Sequence, residues 1–230
     1  GSFHMKGQEH FYMESQASIA YPTENGQIEI HSSSQHPSET QRLCAHVAGL
    51  HFSDVICFVK RMGGGFGGKE SQAAHFAAMA AFVAHQLKRP ARVCLTKDED
   101  MLMTGKRHPF LHHYDVAFSQ DGKILALVLN LVADAGAYTD LTPSILDRAM
   151  LHADGCYFVE NILIQGKAVR TNLQSNTAFR GFGGPQGNIL IESIIEDIAK
   201  YLHQDAYKIR KLNLYKKSFN HITPYGQKVE

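Results

Sequence analysis

The chain has 230 residues, 44% hydrophobic and 20% charged, and a formal net charge of +1. That composition can bury a sizeable core and gives no electrostatic case for nucleic acid. No apolar run is long enough to span a bilayer and no secretory signal is visible, so a cytoplasmic protein is expected. Cys44, Cys57, Cys94 and Cys156 are scattered singly, without Cys-x-x-Cys spacing. They read as reduced thiols and give no zinc or iron–sulfur site made by this chain alone.

Residues 1–5, Gly-Ser-Phe-His-Met, look like a vector remnant, followed by a domain over 6–217 and a polar tail or linker over 218–230. Residues 14–20 and 27–33 alternate in polarity around Pro22 and Asn25-Gly26, the signature of a hairpin. Pro37 opens a helix, with Ser34 or Ser38 as cap and Leu43, Val47 and Leu50 along one face. Residues 54–60 form a strand running into a glycine loop, and residues 70–87 an alanine-rich helix buried on most of its surface and stopped by Pro90. Another apolar strand covers 91–96, and Asp98-Glu99-Asp100 reads as a solvated helix start or turn before a metal site. Strands over 114–118 and 123–134 flank a turn at Asp121-Gly122, and residues 143–152 are helical. A further strand pair is expected over 158–164 and 166–171, then a second glycine loop, an amphipathic helix over 186–202 and a last helix over 205–215. Without a steady βαβ rhythm, the pattern predicts an α+β fold of mixed sheets with packed helices.

The two loops carry the chemistry. The first is Arg61-Met62-Gly63-Gly64-Gly65-Phe66-Gly67-Gly68-Lys69-Glu70; the second is Ala178-Phe179-Arg180-Gly181-Phe182-Gly183-Gly184-Pro185-Gln186. A turn needs one or two glycines, so five around one phenylalanine point to close approach of a ligand to the backbone. Both loops lead into helices, where amides favour negative charge. Gly63, Gly68 and Lys69 satisfy most of a phosphate-loop pattern, but Glu70 stands where a hydroxyl should hold magnesium. Gly63, Gly65 and Gly68 also fit a dinucleotide fingerprint, yet Lys60 and Arg61 interrupt the buried strand it requires. The duller readings remain: Glu70 as a helix-start residue, Arg148 paired with Asp147 or Asp154, Phe66 and Phe182 as core fillers, Gln8 as a loop residue.

Gly7-Gln8-Glu9-His10-Phe11-Tyr12, Arg61 through Glu70, Asp147-Arg148-Ala149 and Ser175 through Gln186 together resemble the molybdenum hydroxylases, most closely the first molybdopterin-binding domain of the xanthine dehydrogenase type. The likeness runs from about Gly7 to about Tyr215, with its blocks in the right order. In that family molybdenum carries pterin dithiolene sulfurs, an oxo, a sulfido and a hydroxide, with no direct side-chain ligand.

By that resemblance Gln8 would bond the apical oxo, and the backbone around Gly65, Phe66, Gly67, Arg180 and Gly181 would line the cofactor. Phe182 would contact an aromatic substrate, while Glu70 and Arg148 would grip the heteroatoms of hypoxanthine or xanthine. Arg148 would stabilise negative charge developing on the ring, and Glu70 would share a proton with it. Aldehyde oxidases, the alternative, resemble the chain at the loops but carry apolar residues at those two places. The resemblance further implies a partner domain carrying the base glutamate, modules holding 2Fe-2S clusters and FAD, and a parent that is a dimer. The chain on its own is then expected to be folded, largely metal-free and inactive.

Overall fold

The computed structural model describes residues 1–229. Alternation in the first hairpin resolves into strands β2 (Ala17–Pro22) and β3 (Ile28–Ser32), antiparallel, with Ala20, Ile28 and Ile30 buried on one face. Strand β4 (Val55–Phe58) joins β3 in parallel and β5 (Ala91–Cys94) joins β2 antiparallel, giving a sheet ordered β4-β3-β2-β5. Helices α1 (Pro37–Ala48) and α2 (Gln72–Leu87) cover its apolar face. The sides of α2 differ from expectation. Ala77, Ala80, Ala81 and Ala84 let it approach the sheet closely, whereas Met79, Phe82 and Val83 are about half exposed on its other side. Helix α1 likewise buries Thr40, Cys44, Ala45 and Ala48, and turns Val47 outward. Neither expected serine caps it: His36 holds the cap position, Ser34 Oγ accepts the His36 N–H at 3.0 Å, and Pro37 has no N–H to satisfy.

Helix α3 (Lys97–Met103) begins in a capping box of Thr96 and Glu99. Its Asp100 is not solvated but buried, accepting the Tyr12 hydroxyl at 2.6 Å and the Gln16 N–H at 2.7 Å.

The second sheet is ordered β1-β6-β7-β8, from β1 (Ser2–Met5), β6 (Phe110–Phe118), β7 (Ile124–Gly136) and β8 (Asn161–Arg170). The fold does not set residues 1–5 apart, because Ser2–Met5 pairs antiparallel with β6. Helices α4 (Thr142–Leu151), α5 (Gly184–Leu202) and α6 (Ala206–Asn213) pack on this half, around Leu127, Leu129, Leu131, Ile145, Leu190 and Ile194. The expected strand pair over 158–171 is one strand. Gly166 does not break β8 but clears space for α4, since a Cβ there would lie 2.5 Å from Met150 Sδ and 3.1 Å from Leu146. In the tail, Ile222 and Lys228 bridge, and the Tyr225 hydroxyl donates to Met150 O at 2.7 Å.

The halves meet at Asp140. It accepts from Ser71 Oγ at 2.7 Å, Gln72 Nε2 at 2.9 Å and Thr177 Oγ1 at 2.9 Å, tying the start of α2 to the chain leading into the second glycine loop.

Candidate active site

The first glycine loop crosses from β4 to α2 over the edge of one half; the second enters α5 in the other half. Both adopt one unusual conformation. Phe66 and Phe182 have φ of 51° and 46°, followed by Gly67 and Gly183 at 99° and 94°. A bulky residue in the left-handed region costs about 1–2 kcal/mol, and such strain concentrates at functional sites.

The loops touch directly. Arg180 N–H donates to Phe66 O at 2.8 Å, and a Cβ on Gly67 would lie 2.7 Å from Ala178 O. Only glycine permits that approach. Together with Gln35 they line a cleft of about 300 Å³ formed by Phe66, Gly67, Glu70, Ala178, Phe179, Arg180, Gly181 and Phe182, at the lower end for small-molecule sites. Larger concavities lie away from these loops, one beside Gly136, Tyr138 and Arg170, one against α4 and the tail, and one among Lys123, Lys208, Lys211 and Lys216.

Fewer loop amides are free than the glycine count suggests. Gly67 and Lys69 N–H donate to Gln35 Oε1 at 2.8 and 3.2 Å, Gly63 N–H to Glu14 Oε2 at 2.8 Å, and Gly68 and Glu70 N–H close turns within the loop. The N–H groups of Phe66 and Gly181 make no hydrogen bond among the described residues. Lys69 is fully buried. Its Nζ bonds Ser33 Oγ at 2.7 Å and Glu14 Oε2 at 3.1 Å over the Tyr12 ring, so it is not presented to a phosphate. Burial holds its pKa below the usual lysine range, against the opposing pull of Glu14.

Glu70 lies two residues before α2, on a turn rather than in the helix, and lines the cleft. Phe182 and Arg180 line it too, as does the Gly65-Phe66-Gly67 turn through its last two residues. Arg148 is not brought into the lining. It stands exposed on α4, whose Ile145 carbonyl and Ala149 amide abut Gly183, and it forms no ion pair among the described residues. Asp154, its suggested partner, accepts instead from the Tyr215 hydroxyl at 2.6 Å. Gln8 is exposed beyond the lining but is joined to it through Arg107.

Two residues in this network escaped sequence reasoning. Gln35 buttresses the first loop, and Arg107 stacks on Phe179 with its guanidinium 3.8 Å from the ring centre. Neither sits in a motif; their roles come from partners 32 and 99 residues away. His10 adds to the same wall, its Nε2 2.7 Å from Ala178 O and its ring stacked on Phe179. Burial lowers the His10 pKa, which keeps the ring neutral beside Arg107.

The family model of the molybdopterin cofactor-binding domain matches residues 1–214. The chain belongs to that family. It is 49% identical over 230 residues to a xanthine dehydrogenase from Drosophila pseudoobscura pseudoobscura, covering all of this chain and 17% of that protein. A xanthine dehydrogenase from Dictyostelium discoideum is 44% identical over 229 residues, again with 17% of its length covered. Among solved structures, the aldehyde oxidoreductase from Desulfovibrio gigas aligns over 99% of this chain and 25% of that one, at 28% identity and a TM-score of 0.90. The chain thus spans about a sixth of the curated relatives it matches.

The site's chemistry fits the family's cofactor. Toward the cleft and its margin the chain offers donors: free amides at Phe66 and Gly181, the guanidinium of Arg180, and a buried Arg107 Nη1 with no partner among the described residues. Donors of this kind suit an anionic oxygen- and sulfur-bearing group. Among the described residues no three His, Cys, Asp or Glu side chains gather to hold a metal directly.

Proposed function

We propose that this chain forms one wall of the active site of a molybdenum hydroxylase that oxidises a purine, hypoxanthine or xanthine. The observation that carries the reading is the Arg180 N–H to Phe66 O bond, which draws two strained Phe-Gly turns together and places Glu70 and Phe182 on one cleft. When bound, the molybdenum–pterin group supplies the two-electron oxidation of the ring carbon. Phe66 and Gly181 would hold it through their free amides and Arg180 through its guanidinium, Gly65 and Gly67 would line it by close backbone approach, and Gln8 would reach it from beyond the cleft lining, without a direct side-chain ligand. The Phe182 ring abuts the flat substrate and excludes water from one side.

Glu70 accepts or shares a proton at a ring nitrogen. Arg148, exposed on α4 outside the cleft lining and without an ion pair among the described residues, would stabilise the charge that the ring acquires. A carboxylate and a guanidinium serve a hydroxylated purine and have no matching groups on a simple aldehyde, which favours the purine over the aldehyde alternative. The nucleotide-binding reading loses its lysine, which is enclosed and paired with Glu14. The remaining parent supplies a second molybdopterin domain with the base glutamate, 2Fe-2S and FAD modules for electron transfer, and the dimer contacts.

Substrate selectivity tests the reading. In the complete enzyme, Arg148→Met is expected to slow xanthine turnover far more than aldehyde turnover; an equal loss on both contradicts it.

A further inference from the structure

Glu70 and the second glycine loop line one cleft from different halves of the chain, and the Arg180 N–H to Phe66 O bond joins them at a single point. One bond alone leaves the two sides free to pivot about it. The second tie is the Asp140 carboxylate. Its Oδ2 accepts from Ser71 Oγ at 2.7 Å and Gln72 Nε2 at 2.9 Å, and its Oδ1 from Thr177 Oγ1 at 2.9 Å and the Leu141 N–H at 2.7 Å. Ser71 directly follows Glu70, Thr177 directly precedes the lining residue Ala178, and Leu141 holds the cap position of α4. Four donors from three elements thus converge on one side chain. Asp140 reaches them with φ of 43°, a left-handed conformation that aspartate and asparagine tolerate better than other residues with a side chain.

A neutral amide does not replace this carboxylate. Asparagine would present one oxygen and one NH₂, and the Ser71 and Thr177 hydroxyls can turn to accept from the latter. The two N–H groups cannot. Gln72 Oε1 accepts from Gly105 N–H at 3.2 Å, which keeps Gln72 Nε2 aimed at Asp140, and the Leu141 backbone N–H only donates. Whichever way an asparagine side chain is turned here, its NH₂ meets one of these N–H groups, donor against donor. Gln72 and Thr177 are buried, so a bond lost there is not simply returned to water.

We propose that Asp140 is a positioning residue: its carboxylate fixes the separation of Glu70 from the side of the cleft formed by residues 178–182, and with it the width open to a flat heterocycle. This rests on the reading of the cleft as the place where Glu70 grips the substrate and Phe182 faces it. Asp140 itself lies outside the lining and need touch no substrate. A misplacement of about 1 Å can cost about 100-fold in rate, so the carboxylate acts on turnover through geometry.

The test uses the complete enzyme, with kinetics expressed per bound molybdenum so that loss of fold or cofactor is counted apart. Asp140→Asn keeps the backbone conformation; it is expected to lower kcat/KM for xanthine about 10- to 100-fold and that for a small aldehyde, which does not span the cleft, less than about threefold. In a Glu70→Gln background the same change should cost less than about threefold more, because the grip that it positions is already gone. Thr177→Val removes one bond, keeps the shape of the side chain and leaves Asp140 in place, and it should lower xanthine turnover in the same selective way by about 3- to 10-fold. Unchanged xanthine kinetics in Asp140→Asn or, where that variant does not fold, in Thr177→Val would overturn the proposal. So would equal losses on xanthine and aldehyde, or independent multiplicative losses with Glu70→Gln. Full xanthine turnover in Glu70→Gln alone would instead remove the reading of Glu70 on which the proposal stands.

Discussion

Lys69 and Glu14 form a half-buried pair beneath the first glycine loop, the ammonium fully enclosed and 3.1 Å from a carboxylate whose side chain is 38% exposed. Glu14 Oε2 also accepts from Gly63 N–H and Ser33 Oγ, so one carboxylate pins both the loop entrance and the lysine. Burial alone would raise the Glu14 pKa, but these bonds and Lys69 hold it below the usual carboxylate range.

Removing the carboxylate leaves the ammonium enclosed and unpaired. Glu14→Ala is expected to destabilise the chain by about 1–3 kcal/mol in urea unfolding, less than for a fully buried pair because water reaches Glu14. Lys69→Met, which keeps the apolar stem and removes the enclosed charge, leaving Glu14 its bonds from Gly63 and Ser33, should cost less. Equal or reversed costs contradict the pairing. ATP with magnesium should give no heat of binding by calorimetry, because the lysine is not free.

Gly67 separates strain from collision. At φ of 99°, with Ala178 O 2.7 Å from its virtual Cβ, Gly67→Ala must push the two loops apart. A loss of about 2–4 kcal/mol is expected from overpacking on top of the backbone strain. Gly26, at φ of 78° with open space around it, reports the strain alone, and Gly26→Ala should cost about 1 kcal/mol. Similar losses at both positions would mean that the loops are not in enforced contact.

Two enclosed histidines set an acid limit. His108 and His112 are fully buried, and burial pushes each pKa down to about 4 from an ordinary 6.5. Between those values the unfolded chain binds more protons than the folded one. Stability is therefore complete above about pH 6.5, falls as pH drops toward 4, and loses nothing more to these groups below that, on the order of 3 kcal/mol per histidine. His112 has no hydrogen-bond partner on either ring nitrogen among the described residues and stacks with Phe3, so His112→Phe should flatten the slope at little cost near neutrality. An unchanged slope in that variant would show that His112 titrates normally.

The sequence made the loops legible because their constraint is local. Left-handed phenylalanines and touching backbones demand glycine at Gly67 and Gly183, and glycine is visible in a sequence. Helix α5 was equally plain, since Ile191, Ile194, Ile195 and Ile198 repeat on one buried stripe. Arg107 and Gln35 were not, because an arginine or glutamine declares its role only through distant partners. Gly166 misled for the opposite reason: a glycine within a strand can mark a break or admit a neighbour, and here it admits α4. On α2 the alanines together with Phe76 are buried, while Met79, Phe82 and Val83 turn outward, a choice made by the closeness of α1 and the sheet.

The most direct test of the central claim is a crystal structure of the complete enzyme with its cofactor and a bound purine. The account predicts the molybdenum–pterin group within hydrogen-bond distance of the Phe66 and Gly181 N–H groups and of Gln8 Nε2, with Glu70 and Arg148 on the heteroatoms of the purine beside Phe182. A cofactor seated away from the junction of the two glycine turns, or a purine out of reach of Glu70, would contradict it.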